Sequence, residues 1–264
     1  LVTPSPEERC MQLAYTAKHN SGCISRHVGA AITDEFYSVK AIGWNNTPEG
    51  QVPCVLRKAD DLLNLQNDLD AYTPYEKSQE FRDELSKYYR DTELNSQENH
   101  NTLKGRNVCF CFKSLKNSFS EGKNQVHTRS LHAEESAFLQ ITKYGGVGIK
   151  SGKLFSTASP CELCSKKAYQ LGIKIIYYID PYPGISTPQI LSAGANPIEV
   201  RLFNGAIGNA YHWLYDPIMP YKDEQTLILG NPIRDLVSKY EEKIEEQKTE
   251  IAELRAKLSL NNNV

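Results

Sequence analysis

The spacing of hydrophobic and polar residues predicts a helix at the start of the chain. It begins at Pro6, because Ser5 can act as the N-cap and Glu8 can complete a capping box, while proline is favoured at the first helical position. The residues that we expect to face inward from this helix are Leu13, Ala14 and Ala17.

Two β-like runs follow, at 28–33 and 39–43, and residues 34–37 between them predict a hairpin. Strands and helices then alternate in the second half of the chain. Helices are predicted over 132–144, 161–171 and 188–193, and strands over 153–157, 174–179 and 199–203. This order predicts an α/β fold in which helices cover a sheet, a layered αβα sandwich.

Residues from about 58 to 105 interrupt the pattern, being rich in charge, asparagine and glutamine. They include a helix-like stretch at 77–89, so we interpret them as a charged helical insertion. We assign residues 1–230 to one domain that contains this insertion.

Residues 231–264 form a separate C-terminal tail with apolar residues at strict 4-3 spacing. Asn231 and Pro232 supply a cap and a first-turn proline. The seam consists of Ile233, Val237, Tyr240, Ile244, Gln247, Ile251, Leu254 and Leu258. Such a heptad repeat is typical of a coiled coil, although one amphipathic helix packed on its own domain would also explain it.

The composition limits the class of protein. The chain has 264 residues, a net charge of −2 and a pI near 6.4, without a basic excess of the kind that long nucleic acids require. No apolar run is long enough to cross a membrane. Seven cysteines fit a reducing cytoplasm better than a secreted disulfide framework.

The most informative motif is His132-Ala133-Glu134 followed by Pro160-Cys161 and Cys164. One imidazole and two thiols can hold Zn²⁺ and leave its fourth position open. A carboxylate two residues after the histidine can then exchange protons with the reacting water and base, and this arrangement is the signature of zinc-dependent nucleobase deaminases. A closed structural zinc site is the alternative, but it would need four ligands and no carboxylate.

Around these motifs the chain resembles the deoxycytidylate deaminase family of the cytidine deaminase superfamily. The resemblance runs from about residue 11 to 203 and is interrupted by the insertion. Besides the zinc motif, its specific parts are Val28-Gly29-Ala30, Gly43-Trp44-Asn45 and Gly172-Ile173-Lys174. Within that family the chain is most similar to the deaminase domains of bacterial antiphage proteins that deplete deoxycytidine nucleotides.

The resemblance implies a hydrolase that converts dCMP, dCTP or both to deoxyuridine nucleotides and ammonia. It implies that His132, Cys161 and Cys164 hold zinc and that Glu134 shuttles the proton. Residues matched to substrate binding are Asn45, Ala133 and Tyr182. It also implies a homo-oligomer and an N-terminal nucleotide-binding domain; the first residue, Leu1, is compatible with a fragment of such a protein.

Two arginines are candidates for binding the substrate phosphate. Arg26 precedes the first strand and Arg129 lies three residues before His132, and guanidinium groups suit phosphate. Either could equally be a solvated surface residue.

A second, structural zinc site is a further expectation. Cys23 and Cys54 flank the hairpin, where some phage-type relatives bind an extra zinc, and Cys109 and Cys111 could complete four thiolate ligands. Four reduced, buried cysteines without a metal are the alternative.

Three other functions stay open at this point. A deaminase of tRNA or single-stranded nucleic acid uses the same zinc motif, and a free-nucleoside deaminase would need no phosphate-binding residues. A non-catalytic assembly subunit built on the heptad tail is a hypothesis of another class.

Overall fold

A computed structural model describes residues 3–91, 106–119, 125–145, 148–230 and 234–261. The chain divides into two compact units, Leu1–His212 and Trp213–Val264. The domain boundary placed at residue 230 from the sequence stays a prediction.

The first unit is built on one five-stranded mixed sheet with the strand order β2-β1-β3-β4-β5. The strands are β1 (Gly29–Thr33), β2 (Val39–Trp44), β3 (Lys153–Ala158), β4 (Ile175–Asp180) and β5 (Glu199–Leu202). Strand β1 runs antiparallel to both β2 and β3, whereas β3, β4 and β5 are parallel to one another. The predicted hairpin and all three later strands are confirmed within one or two residues.

One face of the sheet packs against the N-terminal helix α1 (Pro6–Ala17). Ser5 and Glu8 form the predicted capping box. Because successive strand residues point to opposite faces, Ala31 and Phe155 join Met11 and Ala14 on this side. The prediction that Leu13 faces inward was wrong, since it is 38% exposed. Leu13 lies about 100° around the helix from Ala14, whereas Met11 is three residues away on the same face.

The opposite face packs against helices α5 (Ala133–Tyr144) and α6 (Glu162–Gln170). Here the alternate strand residues Ala30 and Ile32 bury against Ala133, Ala137 and Ala168. Helices therefore cover both faces of the sheet, which confirms the predicted layered sandwich. The helix predicted at 188–193 is a short π-helical turn, Thr187–Leu191.

The insertion contains helices and has a hydrophobic core of its own. Helices α2 (Ala59–Leu63), α3 (Gln79–Asp91) and α4 (Phe112–Phe119) belong to it. The buried residues of its core are Ala59, Leu62, Tyr72, Phe81, Leu85, Tyr89, Phe110 and Leu115. Phe110 and Leu115 lie beyond the predicted end near residue 105, so the packing of this region continues to α4.

A buried ion pair lies at the base of the insertion. The Arg57 guanidinium donates to Glu76 Oε1 at 2.5 Å, and the two side chains are 0% and 1% exposed. The other carboxylate oxygen of Glu76 accepts from the backbone N–H and the hydroxyl of Thr73. The guanidinium also stacks over the rings of Tyr72 and Phe110, while its Nε and Nη1 are buried without a hydrogen-bond partner. Both charged groups of this pair are therefore removed from solvent.

The second unit is helical. In chain order its helices are α8 (Tyr221–Ile228) and α9 (Arg234–Asn261), which come after α7 (Asn209–Tyr215). The predicted tail helix is thus present, although its predicted cap at 231–232 lies outside the described residues. The seam residues Tyr240, Ile244, Ile251 and Leu254 are between 44% and 51% exposed. Within the described part of the chain, no helix is both long and apolar enough to span a membrane.

Strand β2 comes close to helix α5 at Gly43. A Cβ atom there would lie 2.3 Å from the Ala133 carbonyl oxygen and 2.5 Å from the Ala137 nitrogen. We therefore expect Gly43→Ala to push α5 away from the sheet and to lower the free energy of unfolding by about 1–3 kcal/mol. Denaturant unfolding would measure this. Gly148→Ala is the control for loss of a glycine, since no atom lies within 4 Å of its added Cβ and its backbone does not have a positive φ; an equal loss in both variants would contradict the steric explanation.

Candidate active site

Candidate functional residues collect at one edge of the sheet. Four segments meet there: the one before β1 and those after β2, β3 and β4. They meet because β1 runs antiparallel to β2 and β3, whereas β3 and β4 are parallel. Arg26, Asn45, Cys161 and Tyr182 occupy these four positions. The carboxyl ends of parallel strands are the usual location of binding sites in α/β proteins.

The two halves of the zinc motif each begin a helix. His132 is the N-cap of α5, and Cys161 is the N-cap of α6. Helix N-termini carry partial positive charge, which stabilises thiolates and other anions. The segment before His132 is fixed to the end of the hairpin, since the Leu131 N–H donates to the Asn46 carbonyl at 2.8 Å. This backbone bond between two distant segments helps to place His132 without depending on a side chain.

The three predicted zinc ligands come together. His132 Nδ1 lies 3.3 Å from Cys161 Sγ and 3.5 Å from Cys164 Sγ, and the three donor atoms all lie within 4.8 Å of one another. Both cysteines are buried. One nitrogen and two sulfur donors are ligand types that zinc prefers, and three protein ligands leave one position for water or substrate. These residues therefore fit a catalytic rather than a closed structural zinc site.

The protonation of the two cysteines is strongly coupled. The hydrogen bond from Cys164, followed by the one from His132, lowers the pKa of Cys161 to about 4 against the opposing effect of burial. The same contact with Cys161, together with burial, raises the pKa of Cys164. The cluster thus favours one thiolate, which is the form that binds a metal.

Glu134 lies in the first turn of α5 and is 4% exposed. The Ser156 hydroxyl donates to its Oε1 at 3.2 Å, which fixes one carboxylate oxygen. Burial raises the pKa of Glu134. A buried carboxylate beside the metal ligands can accept a proton and return it.

The cleft above this cluster contains all five residues that were predicted to bind substrate. Its lining includes Arg26, Asn45, Arg129, Ala133 and Tyr182. The Asn45 side chain holds the wall of the cleft together, since it accepts from the Val28 N–H at 2.7 Å and donates to the Arg26 carbonyl at 2.8 Å. The Tyr182 backbone N–H donates to Ser159 Oγ. Their contacts with a substrate stay predictions.

The two arginines occupy different environments. Arg26 is exposed and lies 3.9 Å from the Asp180 carboxylate. Arg129 is half-buried, and its Nη1 donates to the Val52 carbonyl at 3.3 Å and contacts Cys54 Sγ at 3.6 Å. Arg129 is therefore the more firmly positioned of the two.

The four cysteines of the predicted second zinc site are not gathered around one point. Cys23, Cys54 and Cys111 line the same cleft, whereas the Cys109 thiol donates to the Val55 carbonyl at 3.2 Å. Among the described residues, the only group of three or more His, Cys, Asp or Glu ligand atoms within 4.8 Å is the one at His132. A second zinc site stays a prediction.

Sequence reasoning missed the part of the cleft that the insertion supplies. Phe112 and Lys113, in the first turn of α4, line the cleft together with Ser25, Thr128, Ser130 and Ser159. It also missed Ser156, the hydrogen-bond partner of Glu134. One local feature of the sequence could have indicated this part of the cleft: Phe112 and Lys113 directly follow the Cys109-x-Cys111 pair.

Comparison with protein families gives a match to the cytidine and deoxycytidylate deaminase zinc-binding region over residues 83–180. This range includes His132, Glu134, Cys161 and Cys164, and also most of the α3–α4 part of the insertion. The match therefore covers the proposed metal ligands and the residue proposed to transfer protons.

The chain is also similar to several individual proteins. ComE operon protein 2 of Bacillus subtilis (strain 168) is 41% identical over 54 residues, which are 20% of this chain and 28% of that protein. The deoxycytidylate deaminase of Enterobacteria phage T2 is 26% identical over 172 residues, covering 65% of this chain and 78% of the phage protein. A crystal structure of dCMP deaminase from the cyanophage S-TIM5, in complex with dCMP and dUMP, is similar with a TM-score of 0.44 and 20% identity, covering 77% of this chain and all of that one.

Proposed function

We propose that this chain, which belongs to the cytidine and deoxycytidylate deaminase family, catalyses the zinc-dependent hydrolysis of dCMP to dUMP and ammonia. The observation that carries the proposal is the buried His132–Cys161–Cys164 cluster with Glu134 in the same cleft. The phage relatives named deoxycytidylate deaminase support dCMP as the substrate.

Zinc held by His132, Cys161 and Cys164 would supply a Lewis acid that brings the pKa of a water molecule toward neutrality. The contribution of the chain is to move the protons. Glu134 takes a proton from the attacking water, delivers one to N3 of cytosine and helps ammonia to leave. Ser156 holds Oε1 of the carboxylate and leaves Oε2 for the reacting atoms. Burial of Glu134 keeps bulk water away from these transfers.

The direct test is an assay of ammonia release and uracil-containing product, together with metal analysis of the purified chain. We expect one catalytic zinc and turnover of dCMP in preference to cytidine, deoxycytidine and single-stranded DNA. Preferred turnover of DNA or tRNA would support a nucleic-acid deaminase instead. Full zinc loading without turnover of any substrate would support a non-catalytic assembly subunit.

Two further parts of the hypothesis concern a second substrate and the cellular role. We propose dCTP as a second substrate, and we propose that the reaction serves antiphage defence in the cytoplasm by depleting deoxycytidine nucleotides. Seven cysteines without a disulfide are consistent with a reducing compartment. An N-terminal nucleotide-binding domain beyond this chain would fit the same role.

We also propose that the tail helix α9 joins copies of the chain. Its seam residues Ile244 and Ile251 are half exposed, and they are the β-branched residues that coiled coils favour at one of the two core positions. We expect Ile244→Asn combined with Ile251→Asn, or deletion of 231–264, to lower the oligomeric state. Light scattering at several concentrations would measure it.

The control for the tail experiment is Thr249→Asn. Thr249 lies on the same helix outside the seam, and its hydroxyl donates to the Glu245 carbonyl of its own helix. This variant should keep the mass of the parent protein. An unchanged number of chains per particle after deletion of 231–264 would show that α9 does not join subunits.

A further inference from the structure

We infer that the insertion completes the active site and that Lys113 binds the 5′-phosphate of the nucleotide. This inference rests on the proposed function and assigns it a specificity residue. Neither the zinc motif nor the residues predicted to bind substrate include any part of the insertion.

Charge is distributed unevenly in the cleft. The groups at its buried end are Glu134 and Ala133, which are 4% and 0% exposed. Three cationic side chains also line it, and they come from three separate segments: Arg26, Lys113 and Arg129. Glu134 is the only carboxylate among the described residues of the lining. A nucleotide with its base beside Glu134 would therefore direct its anionic phosphate toward the cations.

All three cations also have contacts within the protein. Arg26 lies beside the Asp180 carboxylate, and Arg129 donates to the Val52 carbonyl. A nucleoside monophosphate carries a charge of about −1.5 to −2 at neutral pH. Lys113 adds a third positive charge on the side of the cleft that the insertion forms.

The packing of helix α4 fixes the position of Lys113. The next-but-one residue, Leu115, is 1% exposed in the core of the insertion, and Phe112 stacks on Phe81 with 5.5 Å between ring centroids. The stretch before α4 is tied to α2, because the Ala59 N–H donates to the Val108 carbonyl at 2.8 Å. Lys113 itself is half-buried, so it is held at the cleft and is not an extended surface lysine.

The Ser25 hydroxyl, which donates to Cys111 Sγ at 3.9 Å, lines the same cleft as Lys113 and is a further hydrogen-bond donor there. The N-terminus of α4 adds its partial positive charge on this side of the cleft.

The experiment compares binding of dCMP and deoxycytidine, which differ only by the phosphate. Calorimetry with zinc-loaded Glu134→Gln protein measures both affinities without turnover. In the wild-type background kcat/KM is measured for the same pair. We expect Lys113→Ala to weaken dCMP binding and to lower its kcat/KM by roughly 10- to 100-fold, as for loss of a charge-assisted hydrogen bond. Deoxycytidine should change less than about threefold, and Lys113→Arg should recover most of the loss.

The matched control is Lys116→Ala, one turn further along the same helix. Lys116 pairs with Glu84 at 3.2 Å and does not line the cleft, so this variant should leave both ligands unaffected. Equal losses for dCMP and deoxycytidine in Lys113→Ala, or no loss for either, would overturn the phosphate assignment while leaving the deaminase proposal intact. Failure of the unsubstituted chain to bind or deaminate dCMP would instead reject the proposed function, and the inference with it.

Discussion

Glu134→Gln is expected to keep its zinc and to lose deaminase activity by roughly 10³-fold or more, since one side chain provides both the base and the acid. The metal should remain because, among the residues that the structure describes, the cluster of donor atoms consists of His132, Cys161 and Cys164. Glutamine has nearly the same shape and can still accept the hydrogen bond of Ser156. Steady-state turnover of dCMP and zinc content per chain are the two measurements.

The neighbouring carboxylate provides the control. Glu135 lies on the same helix, pairs with Lys167 and caps the His132 backbone N–H. Glu135→Gln keeps an oxygen for this cap, so it should lose only a few-fold in activity. Full activity of a zinc-loaded Glu134→Gln protein would refute the proton-transfer role. Loss of the zinc would show that Glu134 supports the metal site in addition.

The largest expected effect on stability is that of Glu76→Gln. This change leaves the buried Arg57 guanidinium without a counter-charge, and breaking a buried pair in this way costs about 3–5 kcal/mol. For a chain of this size the melting temperature should fall by roughly 10 °C. Thermal and denaturant unfolding of the purified chain would measure both quantities.

Two further variants separate charge burial from loss of a side chain. Glu49→Gln removes an exposed pair with Lys143, where the two side chains are 85% and 54% exposed, and should cost less than about 1 kcal/mol. Arg57→Met in the Glu76→Gln protein removes the uncompensated charge and should recover a large part of the loss. A Glu76→Gln protein as stable as Glu49→Gln would mean that solvent reaches Arg57 at little cost.

The features of the fold and the site that could be predicted are those encoded by residues close together in the sequence. Ser5, Pro6 and Glu8 specify the start of α1 through local capping, and short apolar runs rich in β-branched residues located the strands. The spacing of His132, Cys161 and Cys164 was enough to predict that they meet, because each half of the motif begins a helix at the same edge of the sheet.

The features that could not be predicted depend on packing between segments that are distant in the sequence, and no local sequence pattern indicates such packing. The insertion has the composition of a polar surface region, yet Phe81 and Phe110, 29 positions apart in the numbering, lie in one core. Lys113 is one of many lysines in the sequence, and its position at the cleft follows only from how that core docks. The same applies to Cys109, whose contact with Val55 could not be read from the cysteine spacing.

The apolar side chains of the insertion pack mainly against one another. They form a cluster that is separate from the two clusters that cover the sheet. This separation has an evolutionary consequence. Substitutions inside the insertion can reshape one wall of the cleft without disturbing the strands that position Glu134 and the metal ligands. Selection could therefore alter which nucleotides are accepted while the chemistry stays constant, and libraries confined to the insertion would be the natural starting point for directed evolution of substrate choice.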